Sequence, residues 1–155
     1  MTQAMVAGAL AVAVFNAVPG VSGGWLWYRG VPDDARSTRL FWLTLRVGQG
    51  SALAFALAVG SLAATGRSPS QGLFYLYALL PLAVAFVAEQ LRVASAQTIL
   101  DQQGLQDSSA VARLPESEQL VLVGAIVRRE IGVMALSALV VVFLALRAAG
   151  TAHGF

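Results

Sequence analysis

The residues with chemical content fall in three short stretches. Arg46 and Gln49 lie early in the second apolar run, Glu89, Gln90 and Arg92 end the third, and Arg128, Arg129 and Glu130 precede the last. If the third and fourth runs fold back on each other, positions sharing a midpoint face each other. Glu89 with Arg129 and Arg92 with Glu130 give midpoints of 109 and 111, both inside the polar connection. Glu89 is then expected at the height of Arg128 or Arg129, and Arg92 near Glu130. A charge buried in hydrocarbon costs about 2.5–3.5 kcal/mol on insertion scales. Pairing, or a long side chain reaching to the headgroups, reduces that cost. Four arginines meet two glutamates here, which leaves two positive charges over. Three uses compete: anchoring to lipid phosphates, a structural ion-pair lock, or a pocket for an anionic ligand. The planar guanidinium fork suits carboxylate and phosphate. Arg46, Gln49, Glu89, Arg92, Arg128, Arg129 and Glu130 therefore form the candidate layer for an anion or a lipid headgroup.

Other chemistry is hard to assemble. The chain has no cysteine and one histidine, His153, which reads as a tail residue. No metal site and no cofactor are expected, because His and Cys ligands are lacking. Gly48-Gln49-Gly50-Ser51 lacks the spacing and the lysine of a phosphate-binding loop. Asp33-Asp34-Ala35-Arg36 lacks the further aspartates of a lipid-phosphate transferase. Glu89 and Glu130 form a carboxylate pair, but their arginine neighbours argue against a general acid. No catalytic residue is assigned.

The elements that must position this layer follow from composition. Of 155 residues, 57% are hydrophobic and 12% charged; the mean hydropathy is +0.72. Soluble domains carry about 25% charged residues. A disordered chain, a nucleic-acid-binding arm and an ordinary cytosolic enzyme are excluded. About 20 apolar residues cross a bilayer, and four runs meet that length, about 4–26, 40–64, 72–92 and 120–147. The fold class is all-α: one integral membrane domain, a four-helix bundle. The first run reads as a span, since no basic residue precedes it and it exceeds a signal-peptide apolar core.

Arginines orient the spans. Arg29, Arg36, Arg39, Arg92, Arg113, Arg128 and Arg129 fall on one side, Arg67 and Arg147 on the other. Both termini are then expected outside, with 28–39 and 93–118 cytoplasmic. Trp25, Trp27 and Tyr28 close the first span where an aromatic belt belongs. Gly30 to Asp34 reads as a turn, and Gly66 to Ser70 as a tight outer loop. Gly104 stops the third helix, Asp107 to Leu114 makes a short helix, and Pro115 starts the last helix with Glu116 and Glu118 in its first turn. Gln71–Gln103 and Glu116–Ala148 would each be roughly 50 Å long at 1.5 Å per residue. Helices of that length are expected to project into the cytoplasm as an antiparallel hairpin. No internal repeat suggests an inverted-repeat transporter.

Gly48, Ala52, Ala56, Gly60 and Ala64 repeat at four-residue spacing. Small residues let helix backbones approach in lipid, so this stripe is expected to pack the second helix on the first or on another subunit. Pro19 and Pro81 interrupt the first and third spans, and each frees a backbone carbonyl. Asn16 and Ser22 are the local donors available to partner one, and a kink there would shape a cavity.

In size, span count and an arginine layer near the cytoplasmic face, the chain resembles the membrane-associated eicosanoid and glutathione metabolism family. That family's Glu-Arg-x-x-Arg-Ala-x-x-Asn pattern is missing, the nearest stretch being Arg46-Val47-Gly48-Gln49, and no residue role is carried over. The reading is of a small multi-pass protein of a bacterial inner membrane, non-catalytic, acting as a structural, accessory or ligand-binding subunit. Alternatives are a membrane enzyme holding an amphipathic anionic substrate on the arginine layer, and a channel or carrier. The expected partners are the lipid bilayer, with anionic lipid at the arginine face, and a second copy or another membrane protein. Nothing points to nucleic acid.

Overall fold

The computed structural model describes residues 2–30, 35–66, 72–105 and 108–152. The turn read at 31–34, the connection at 67–71 with Arg67, Asp107 and His153 lie outside the described residues. Five helices occur among the described residues: α1 (Thr2–Arg29), α2 (Ala35–Ala64), α3 (Leu73–Gln102), α4 (Ser108–Val111) and α5 (Glu116–Thr151). The described residues contain no strand. All but α4 are long and apolar enough to cross a membrane. The outer surface carries many large apolar side chains: Leu57, Phe86, Leu136 and Phe143 are each about two-thirds exposed. A water-facing monomer rarely carries so much exposed apolar surface.

Local chemistry sets the helix ends. Gly104 has φ +68°. Its N–H donates to the Asp101 carbonyl at 3.0 Å, and the Leu105 N–H donates to Leu100 at 2.9 Å. That pair of bonds is a Schellman cap, and glycine takes the left-handed position without a Cβ penalty. The short helix expected at Asp107–Leu114 is only Ser108–Val111. Tight turns replace its end, with the Arg113 and Leu114 N–H groups donating to Ala110 and Val111. The Gln119 side chain closes the corner, donating to the Leu114 carbonyl at 2.8 Å.

α5 packs along both α1 and α3, while α2 lies on α1 and more lightly on α3. One core cluster joins Ala9, Val12, Phe55, Phe74, Ala145 and Ala148 near the N-terminus of α1. The other joins Phe41, Leu45, Ala88, Ile131, Met134 and Ala138 near its C-terminus.

Within the single chain, the small-residue stripe of α2 packs inward over only part of its length. Gly48, Ala52 and Ala56 are buried, but Gly60 and Ala64 are exposed, and a Cβ on Gly60 would touch nothing. The reason is rotational. At 3.6 residues per turn each four-residue step advances about 40° past a full turn. A strict four-residue stripe therefore winds off the interface. The buried seam instead alternates steps of four and three through Phe41, Leu45, Gly48, Ala52, Phe55 and Val59, as helices packed side by side require.

α1 makes the closest approaches. A Cβ on Gly23 would collide with the Phe41 ring and come within 2.8 Å of the Ala135 Cβ, and one on Gly20 would come within 2.7 Å of Leu139. Both α1 and α3 stay helical through Pro19 and Pro81. The expected donors do not reach the carbonyl of Phe15 that Pro19 frees. Asn16, buried, donates to the carbonyls of Val12 at 2.9 Å and Gly48 at 3.1 Å. Ser22 donates to Val18 at 2.7 Å. The Phe15 carbonyl lies against Gly48, 3.1 Å from where a Cβ would sit.

Candidate functional site

The charged layer is built by three helices. Arg46 and Gln49, one turn apart on α2, face α3, whose Glu89 and Arg92 are also one turn apart. Arg46 Nη1 donates to Glu89 Oε1 at 2.6 Å and to Gln49 Oε1 at 2.7 Å. Gln49 Nε2 donates to the same Glu89 oxygen at 3.3 Å. The other Glu89 oxygen accepts from Arg92 Nε at 2.9 Å. Arg92 then faces Glu130 of α5, with Nη1 3.8 Å from Oε2. Trp42, on α2, places its ring 5.4 Å from the Arg92 guanidinium carbon, a cation–π distance.

The chain Arg46–Glu89–Arg92–Glu130 thus holds two positive and two negative charges in alternation. Glu130 is the most shielded, its side chain 19% exposed, and Arg46 the least at 53%. Every member other than Glu130 has hydrogen bonds that fix its orientation. Chemically the arrangement is a neutral clasp between α2, α3 and α5.

Arg128 and Arg129 do not join it. Glu89 takes its partners from Arg46 on the neighbouring α2 and from Arg92 on its own helix, not from Arg128 or Arg129. Arg128 turns toward α1, where its Nε donates to the Trp27 carbonyl at 2.9 Å and its guanidinium carbon lies 6.0 Å from the Trp27 ring centroid. Arg129 is exposed, and among the described residues it has no hydrogen-bond or ion-pair partner. The two surplus charges counted in the sequence are therefore these two arginines, set apart from the clasp on the α1 flank. Of the seven layer residues, five converge and two do not.

The sequence reading passes over Trp42 and places Trp27 only in an aromatic belt, without its contact to Arg128. Trp42 precedes Arg46 by one helical turn, a spacing that could have drawn attention to it. No sequence signal joins Trp27 to Arg128, since α1 and α5 are not consecutive in the chain. The described residues hold no group of His, Cys, Asp and Glu arranged for a metal ion. Compared with protein-family models, with curated proteins and with solved structures, the chain matches none.

Proposed function

We propose that this chain is a small multi-pass protein of a bacterial inner membrane, of non-catalytic type, serving as a structural, accessory or ligand-binding subunit. In this reading both termini lie outside and residues 28–39 and 93–118 lie in the cytoplasm. α3 and α5 continue past the ends of α1 and α2 as an antiparallel hairpin. The arginine-rich end, with the exposed Trp25, Trp27 and Tyr28, sits at the cytoplasmic headgroups.

The observation that carries the reading is the neutral clasp. An enzyme for an anionic amphiphile would need unengaged guanidiniums converging on one place. Arg46 and Arg92 instead bind the chain's own glutamates, and Arg128 binds a backbone carbonyl. A clasp of this kind fixes the register of three helices where hydrophobic packing alone is weak, since lipid tails solvate leucine as well as a neighbouring helix does. A subunit whose contribution is shape needs that rigidity.

The test is thermal melting in detergent with and without an alkyl phosphate. The clasp predicts a lower Tm for Arg46→Gln, with any stabilisation by alkyl phosphate unchanged in size. Stabilisation of the wild type that disappears in both Arg46→Gln and Arg92→Gln would contradict this reading and favour a substrate site.

A further inference from the structure

Beside the clasp, on the opposite flank of α5, a groove of about 440 Å³ runs between α1 and α5. Its walls are Gly24, Trp27, Gly132, Val133, Leu136 and Leu139, and Arg129 is its one charged residue. The volume lies within the roughly 300–1,000 Å³ of small-molecule sites. The groove exists because of two glycines. The Trp27 indole lies against Gly132, where a Cβ would come within 2.6 Å of the ring. Opposite, a Cβ on Gly24 would meet nothing within 4 Å, so that residue leaves the groove open. Arg128 holds the Trp27 carbonyl at 2.9 Å and steadies this end wall.

Length and charge select the occupant. From Arg129 to Leu139 the groove follows α5 for about 15 Å at 1.5 Å per residue. That is half the roughly 30 Å hydrocarbon thickness, the depth of one leaflet. Arg129 stands at the end of the groove nearer the arginine-rich connections, free of any partner among the described residues. The nearby acids Glu89 and Glu130 face Arg92 on the other side of α5. An apolar slot one leaflet deep with an uncompensated guanidinium at its mouth complements an acyl chain under a negatively charged headgroup. Basic pockets between membrane helices on the cytoplasmic side bind such lipids.

We propose that this groove is a site for one anionic phospholipid, with an acyl chain along Gly24, Leu136 and Leu139 and its phosphate on Arg129. The proposal rests on the four-span reading above, and it names the lipid that the arginine face selects.

Native mass spectrometry of the full chain released from nanodiscs of equal phosphatidylglycerol and phosphatidylcholine tests it. The wild type is expected to retain phosphatidylglycerol preferentially. Arg129→Gln should lower that preference about five-fold, the factor one guanidinium contributes at an anionic surface. Gly24→Leu, whose Cβ has open space and whose side chain projects into the groove, should remove one bound lipid. Arg39→Gln, an exposed arginine on α2, should leave the preference unchanged, and excess inorganic phosphate should not displace the lipid. A wild-type preference in Arg129→Gln, an equal loss in Arg39→Gln, or displacement by inorganic phosphate would overturn the site. A chain that purifies without detergent would overturn the membrane reading and the site with it.

Discussion

Arg46 on α2 and Glu89 on α3 meet at 2.6 Å, and through Arg92 this contact is carried on to Glu130 of α5. Three helices are thereby joined at one height by groups that alternate in sign. In a medium where hydrophobic contrast between helix and surroundings is small, such polar contacts and close packing decide which helix faces meet.

Glu89 is the hub, since both its oxygens accept from arginine. Glu89→Gln keeps the shape and removes the charge, leaving Arg46 without a carboxylate and Arg92 with Glu130 alone, at 3.8 Å. A hydrogen bond to a charged group contributes about 1.5–3 kcal/mol, and the partial exposure of the pair places the expected loss at the low end of that range. Detergent unfolding should show Glu89→Gln clearly less stable than the wild type, with Arg129→Gln within about 0.5 kcal/mol of it, as expected away from such contacts. Equal stability of all three would contradict the hub role.

Glycines discriminate between packing within the chain and packing between chains. Gly23→Ala pushes a methyl group into Phe41 and Ala135, and overpacking of this sort costs roughly 1–3 kcal/mol. Gly60→Leu meets open space, so stability should change by less than about 0.5 kcal/mol. Melting curves of the two variants should differ in this order. A drop in assembly size for Gly60→Leu at unchanged stability would place an intermolecular contact there.

Parts of this fold were legible in the sequence for a definite reason. Run length and hydropathy mark four spans because a bilayer demands a fixed apolar length. Consecutive antiparallel helices share a register about their connection, which is why the midpoint rule pairs Arg92 with Glu130. The same rule covers contacts that had not been drawn from it. Arg46 and Glu89 share the midpoint 67.5, inside the second connection, and Asn16 and Gly48 share 32, inside the first. The contact of Arg128 with Trp27 lies beyond that rule, because α1 and α5 are brought together by the closure of the bundle. The groove that Arg129 overlooks was hidden for the same reason. The stripe leaves the intramolecular seam before Gly60 and Ala64 because four-residue spacing rotates about 40° per step against a 3.6-residue helix.

Topology has a direct test, since the chain has no native cysteine. Ala112 and Thr65 are both exposed, near opposite ends of the long helices. In intact cells a membrane-impermeant maleimide should label Thr65→Cys and spare Ala112→Cys. In inside-out vesicles the pattern should reverse. Labelling of both from one side would remove the four-span arrangement.

The clasp itself is tested most directly by a double-mutant cycle on Arg46 and Glu89, read from unfolding free energies of Arg46→Gln, Glu89→Gln and the double variant in one detergent. Residues in a shared ion-pair network couple by about 0.5–3 kcal/mol. The expected result is a double variant less destabilised than the two single losses combined, with a coupling of about 1 kcal/mol. Additive losses, with no coupling between the two positions, would show that the contact does not hold the helices together and would contradict this account.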